Sequence, residues 1–457
     1  MSDGPATPQR LVIVLPTTGE FDSRTYRIAS TVAARGHSVT VIARARPGLP
    51  NEETDPSGYR VVRVTIDPLD ALPFRGLWRR LRRRAGTPPR ASSVPGASSV
   101  PGASSVPVSS TSASGPPSSP ARRGVGGRLR MAGSSAIRIL AIVLTVRAQI
   151  RASRDVDPGA DLYHGMAYMG IPVALSLARR SGGRVVYDAR DIYVAAGNLA
   201  RLPGPLRAIV ARLERGWARR ADRVVTVNEP YAGVMAATWG PPQPLVVMNC
   251  AYRFDPPVPR GRRFHVLLGL PPEVQIVLYQ GGFSADRGIE QLILAIRDVP
   301  DAVLVLMGYG ALEADLERAA ADPASGGRIR LVPPVSPVEL IGWVAAADVV
   351  AMPIQPTTLN HRLTTPNKLF EALAAGVPLV ASDLPGMAPI VTETGAGLVV
   401  DPGDPAAIAA AIRAILDPET HATMAARALA AAHERYNWAS QADVLLREYG
   451  RISGRPW

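Results

Sequence analysis

The chain reads as an α/β protein of two doubly wound, Rossmann-like domains facing a cleft, with a disordered insertion in the first. Three observations predict this. Short runs rich in Val, Ile and Leu alternate with helical patterns, the signature of parallel sheets built from βαβ units. The alternation occurs in two series, divided by the stretch Pro256-Pro257-Val258-Pro259. The first series is itself broken by a low-complexity, basic segment at about residues 67–135.

The first domain, residues 1–255, opens with a strand at 11–15, stopped by Pro16, and a helix at 23–35, stopped by Gly36. A strand at 38–43 and an extended run at 59–66 follow. The break repeats ASSVPG at 91–96 and 97–102, then ASSVP at 103–107. So much Ser, Pro, Ala and Gly cannot bury enough apolar surface to offset its ordering entropy, which predicts disorder. An amphipathic helix at 136–151 re-enters the fold. The series resumes with the strand Asp161-Leu162-Tyr163-His164, a helix at 172–180, a strand at 184–188, a helix at 206–220, and strands at 223–228 and 245–249. The second domain, 256–435, has strands at 275–280, 302–307, 328–332, 349–353, 379–382 and 398–401 with helices between them. Beyond Asp417 the chain is helical, with Tyr436 and Trp438 marking a last segment at 436–457.

A chain of 457 residues, 47% of them hydrophobic, can bury two substantial cores. Its longest membrane candidate, 139–146, falls far short of the roughly 20 apolar residues a spanning helix needs. The apolar N-terminal run is too short for a signal sequence, so a cytoplasmic location is expected. Cys250 is the only cysteine, which excludes intramolecular disulfides and cysteine-rich zinc sites. The histidines lack metal-ligand pairing, and Asp155 and Asp157 sit in a charged loop, so no metal site is expected. Much of the net charge of +13 is concentrated. Arg75, Arg79, Arg80, Arg82, Arg83, Arg84 and Arg90 are interleaved with Phe74, Leu77, Trp78 and Leu81. That mixture predicts an anionic membrane surface at the cytoplasmic face as partner, in preference to nucleic acid.

One carboxylate stands out. Glu371 lies between Leu369, Phe370, Ala372, Leu373, Ala374 and Ala375, in a helix that Thr364 or Thr365 can cap, Pro366 can open and Gly376 can close. An ionised group among apolar neighbours is costly unless strong donors meet it. Protein groups or ligand hydroxyls could be those donors, and a solvated Glu371 paired with Lys368 is the plain alternative. Asn367 and Lys368 occupy the first turn, where free N–H groups favour phosphate. A strand running into Gly281-Gly282, followed by Arg287, and a second turn, Gly308-Tyr309-Gly310, add two phosphate-type elements at the same strand ends.

The segments VLYQGGFSADRGIEQLILAI, VLVLMGYG, AAADVVAMP and TPNKLFEALAAGVPLVASDLPG together resemble the retaining nucleotide-sugar glycosyltransferases of family 4 (group 1), of GT-B fold. Looser matches extend through FDSRTYRIASTVAARGHSVTVIA, DLYHGMAYMGIPVALSLARR and VVYDARDIY, and YNWASQADVLLREY resembles the family's last helix, which crosses back onto the first domain. The resemblance implies a donor site of Gly281, Gly282, Arg287, Gly308, Asn367, Lys368, Leu369 and Glu371. Glu371 would accept hydrogen bonds from donor ribose hydroxyls, and Arg287 and Lys368 would neutralise the diphosphate without a metal or other cofactor. The donor is a nucleotide-diphosphate sugar; the acceptor is a glycan or lipid-linked group. Two departures stand out: Leu363 and Gly282 occupy positions where many relatives carry a glutamate and a basic residue.

On the acceptor side the candidates are Asp22, Arg24, His164, Asp188, Arg190 and Asp191, with His164 and Asp188 also read as catalytic. Arg190 replaces a histidine common in relatives, exchanging a proton carrier for a permanent cation that favours an anionic acceptor or a positioning role. His164 is equally readable as structural, and Arg24 as a local cap or pair. A nucleotide-sugar 2-epimerase of the same fold and a catalytically degenerate, membrane-recruited scaffold are the alternative functions.

Overall fold

The computed structural model describes residues 7–20, 22–68 and 125–457. Its first sheet has eight strands in the order β3-β4-β2-β1-β5-β6-β7-β8. They are β1 (Arg10–Val14), β2 (Ser38–Arg44), β3 (Glu52–Thr54), β4 (Arg60–Val64), β5 (Leu162–Met166), β6 (Arg184–Asp188), β7 (Arg223–Thr226) and β8 (Leu245–Val246). Every pairing is parallel except β3 with β4, an exposed edge whose short polar sequence carries no strand signal. The second sheet has six parallel strands in the order β11-β10-β9-β12-β13-β14. These are β9 (Gln275–Gly282), β10 (Ala302–Tyr309), β11 (Ile329–Val332), β12 (Val349–Met352), β13 (Leu379–Ser382) and β14 (Gly397–Val400).

Strand β9 shows why these segments read as continuous apolar runs. Ile276 and Leu278 enter one cluster with Phe370 and Leu373, while Val277 and Tyr279 enter another with Leu292 and Ile412. A parallel strand covered by helices on both faces needs apolar side chains on both. Chain order reverses between β1 and β5 in one sheet and between β9 and β12 in the other. At such switch points the strand ends open into a crevice that takes ligands.

The chain leaves the second domain through a tight elbow. Tyr436 stacks on Phe370, with ring centroids 6.0 Å apart. Asn437 then caps the helix Trp438–Ser453 by accepting from the Ser440 N–H at 3.0 Å. That helix buries Trp438, Leu445, Leu446 and Tyr449 against Leu11, Ile13 and Val39 of the first sheet. Neighbouring residues thus serve two different cores.

Two helices begin earlier than their sequence signals. The helix Val125–Val156 starts inside the stretch read as disordered, through Arg128, Leu129, Arg130, Met131 and Ala132, all good helix formers. The ASSVPG repeats and the arginines from Arg75 to Arg90 lie outside the described residues. The helix Ala167–Ser181 contains Pro172 rather than starting at it. Its first turns are pressed onto β1: a Cβ on Gly170 would lie 2.7 Å from the Val14 carbonyl oxygen. Among the described residues no helix is long and apolar enough to cross a membrane.

Candidate active site

The helix Asn367–Ala374 carries Glu371 into the second core, where Leu369, Phe370, Ala372, Leu373 and Ala374 are also buried. Its start differs from expectation. Pro366 is the N-cap, and no side chain caps the helix. Thr365 is engaged elsewhere, donating from Oγ1 to the Gly386 carbonyl at 2.6 Å and accepting from Asn228 Nδ2 at 3.0 Å. Leu369, read as a donor-site residue, has its side chain fully buried in the apolar cluster, and its N–H meets the Pro366 carbonyl at 3.0 Å.

Glu371 is 9% exposed, and among the described residues its carboxylate takes one long hydrogen bond, 3.4 Å from Gln280 Nε2 to Oε2. Burial pushes its carboxyl up, and Arg27, Gln280 and Lys368 pull it back. Lys368 sets its ammonium 3.7 Å from the centre of the Tyr279 ring, a cation–π contact. Desolvation first, and the charge of Arg287 second, push Lys368 down to about 7. As a residue it is half-buried. Tyr279 and Gln280 belong to this site although only their neighbours were singled out; a glutamine closing an apolar strand was the available signal.

The floor is made of backbone. Gly281 (φ +123°) sits opposite Gly308 in the β9–β10 register, and a Cβ on Gly308 would fall 1.9 Å from the Gly281 carbonyl oxygen. Only glycine lets these strand ends approach so closely. Gly282 faces open space, and its carbonyl accepts from the Tyr279 hydroxyl at 3.0 Å. Beside it Arg287 is held loosely, with Nε 3.4 Å from Ser284 Oγ. The field of Arg287 reaches Lys368, Tyr279 and His361 in its own domain and Asp191 and Tyr231 in the other.

The first domain contributes a cation that sequence reading missed. Arg27, on the buried face of the helix Ser23–Ala34, donates to Asn249 Oδ1 at 2.7 Å, and Asn249 Nδ2 reaches Asn367 Oδ1 at 3.0 Å. A relay therefore runs from one domain to the first turn of the Glu371 helix. The signal was present: Arg24 and Arg27 lie one turn apart on the apolar side of that helix. Elsewhere across the cleft, Asn228 donates to the Leu363 carbonyl at 2.7 Å, the Tyr231 hydroxyl to the Asn360 carbonyl at 3.1 Å, and the Ile192 N–H to Asn360 Oδ1 at 3.0 Å. The two domains are closed on each other along the segment Asn360 to Thr365.

The acceptor-side candidates divide. Asp188 Oδ2 lies 2.6 Å from Arg24 Nε and 3.1 Å from His164 Nε2, while His164 Nδ1 meets the Tyr449 hydroxyl at 2.6 Å. All three side chains are 0–1% exposed. Burial alone would raise the Asp188 carboxyl, but Arg24 and His164 outweigh it and hold it well below the usual carboxylate range. His164 and Asp188, read as catalytic, and Arg24, read as acceptor-side, thus lie together in one buried network: both His164 nitrogens are engaged, and the cluster ties the last helix to β5 and β6. Arg190 is also committed, donating to both Asp22 oxygens at 2.9 Å. Asp22 in turn caps its helix at the Thr25 N–H. Asp191 is pushed up to about 7 by burial, against the opposing charges of Arg190 and Arg287. Asp191 is thus electrostatically coupled to Arg287 of the other domain.

Residues 21–251 match the glycosyl transferase 4-like domain, and residues 274–418 match the glycosyl transferases group 1. The chain belongs to the group 1 glycosyl transferases. This glycosyltransferase is 30% identical over 211 residues to the D-inositol 3-phosphate glycosyltransferase of Xylanimonas cellulosilytica, an alignment that spans 44% of the chain and about half (49%) of that relative. It is 31% identical over 321 residues to D-inositol 3-phosphate glycosyltransferase 1 of Catenulispora acidiphila, spanning 66% of the chain and 73% of the relative. Its fold is shared with sucrose-phosphate synthase from Thermosynechococcus elongatus, with a TM-score of 0.68, 20% identity, and 98% and 99% of the two chains covered. Anabaena HepE, solved in complex with UDP-glucose, superposes with a TM-score of 0.61 at 14% identity over 97% and 100% of the two chains. The glycosyltransferase is thus of GT-B architecture, two parallel-sheet domains with the sites described above between them.

Proposed function

We propose that this glycosyltransferase moves a sugar, with retention at the anomeric carbon and without a metal, from a nucleotide-diphosphate sugar to a glycan or lipid-linked acceptor at the cytoplasmic membrane face. The observation that carries the reading is the convergence of a buried, underpartnered Glu371 with Lys368, Arg287 and Arg27 over the side-chain-free Gly281 and Gly308 floor. Ribose hydroxyls would supply the donors that Glu371 lacks. The diphosphate would lie between Lys368 and Arg287, whose mutual repulsion its negative charge relieves. The UDP-glucose complex of HepE supports a donor of this class.

As the glycosidic bond lengthens, charge accumulates on the leaving diphosphate, and fixed cations stabilise it more than they stabilise the ground state. The acceptor oxygen bonds to the anomeric carbon on the face the diphosphate leaves, and its proton passes to a diphosphate oxygen. No protein nucleophile is needed. On the acceptor side Arg190 is paired with Asp22 and Asp191 is a weakly acidic carboxyl, a lining that suits hydroxyls better than the phosphate in the name of the inositol-phosphate enzymes. Replacing Glu371 by alanine should abolish transfer while the thermal transition stays in place; full activity would overturn the assignment. NMR of the product's anomeric proton tests retention.

A further inference from the structure

The helix Gly204–Ala218 has two unlike faces. Its inner face buries Val210, Glu214 and Ala218, and Glu214 accepts from the Tyr187 hydroxyl at 2.7 Å at the back of β6. Its outer face exposes Ile209 (49%) and Leu213 (41%), one turn apart, with Arg212 between them. Arg215, Arg219 and Arg220 continue the exposed surface, and Arg201 precedes it. Among the described residues Arg201, Arg212, Arg215 and Arg220 have no ion pair, and the only acid on the helix is the buried Glu214. The helix Val125–Val156, which shares an apolar cluster with it through Ile142, Val146 and Val210, exposes Leu140 (56%) and, two turns on, Arg147.

We infer that this outer face, centred on Ile209, Arg212 and Leu213, docks on an anionic lipid bilayer. Arginines bracketing protruding aliphatic side chains match a headgroup layer over acyl chains: the guanidinium groups meet lipid phosphates while the aliphatic tips enter the boundary beneath. Other occupants fit less well. A second copy would bring arginine against arginine. Residues 69–124 of the same chain, with Asp70 as their only acid among many arginines, would repel the face in the same way. Nucleic acid would use the charge but leave Ile209 and Leu213 without a role. Because Glu214 ties the same helix to β6, whose end leads to Asp191, the face lies behind the acceptor side of the cleft. Bringing the protein to a lipid-linked acceptor is the purpose that rests on the proposed function; vesicle binding itself requires no donor.

The test is co-sedimentation of the full-length protein with phosphatidylcholine vesicles containing 0 or roughly 30% phosphatidylglycerol, the anionic lipid whose charge basic residues read. The wild type should bind only the anionic vesicles, and less at high salt. Arg212→Gln/Arg215→Gln/Arg220→Gln should lower partitioning on the order of 100-fold, from three cationic contacts of roughly fivefold each. Ile209→Asn/Leu213→Asn should lower it at least about tenfold at unchanged net charge, since it removes the buried aliphatic tips. Both variants should keep the wild-type melting temperature. If only substitution of Arg75, Arg79 and Arg80 abolishes binding and both helix variants bind like wild type, the face is idle and the inference fails. It also fails if the apolar variant keeps full vesicle binding, or if the arginine variant loses DNA binding alone.

Discussion

Lys368 makes donor binding sensitive to pH within the physiological range. The free cleft holds its ammonium near 7, through desolvation and the charge of Arg287. A bound diphosphate diester carries two negative charges from pH 6 to 8.5 and favours the protonated amine. The protonated fraction of a group with pKa 7 falls from about 0.9 at pH 6 to about 0.03 at pH 8.5, so affinity for a nucleotide sugar should drop by up to ~30-fold across that window. A charge-assisted contact worth about 1.5–3 kcal/mol, roughly 10- to 150-fold in affinity, can sustain such a drop. Isothermal titration with a nucleotide sugar is the assay, because the second ionisation of free UDP would add its own slope. In buffers of different ionisation enthalpy at pH 7.5, binding should take up a proton. Asp191, also near 7, would contribute in the same direction as it ionises beside Arg287, whereas burial and the charge of Arg287 push His361 down. Lys368→Met should flatten most of the profile, and Asp191→Asn should leave most of it. A wild-type affinity constant from pH 6 to 8.5, or an unchanged slope in Lys368→Met, would refute the argument.

Asp188→Asn leaves the buried Arg24 guanidinium without its counter-ion, which should cost about 3–5 kcal/mol and lower the melting temperature by roughly 6–20 °C; a shift within experimental error would show that the pair is not sustaining the first domain. Because the Asp188 carboxyl is held below its unfolded value, its stabilisation is present above about pH 4 and is lost as acid protonates the native state below that. Acid unfolding of Asp188→Asn should accordingly be less steep than that of wild type. Gly308→Ala pushes a methyl group into the Gly281 carbonyl and should both destabilise the second domain and weaken donor binding at least about tenfold, as overpacked backbone contacts do. Gly282→Ala meets open space and should change stability by less than about 0.5 kcal/mol in chemical denaturation.

Both sheets and the Glu371 helix were legible because a parallel sheet imposes its pattern locally: a strand such as β9, buried on both faces, must be apolar throughout, and a glycine pair at its end marks where the chain turns toward a crevice. The helix cap was not legible in the same way. Thr365 has the right chemistry to cap the Asn367–Ala374 helix, yet its hydroxyl is taken by Gly386 and by Asn228 from the opposite domain. Arg24 and Arg27 show the limit most clearly. They are the same residue type on the same buried helix face, and three residues along a helix turn a side chain by only about 60°. Yet Arg24 ends on Asp188 inside the first core, and Arg27 ends on Asn249 with its charge felt by Glu371. A sequence pattern identifies an arginine that is out of place in an apolar stripe. Whether it becomes a core ion pair or a site cation depends on which carboxylate the fold brings up, and for Arg27 that carboxylate comes from the other domain. The acceptor side was the harder half to read for this reason: in the first domain Arg24 and Arg190 are neutralised by their own domain's aspartates, whereas in the second the charge of Arg287 bears on Lys368, and among the described residues neither is held in an ion pair.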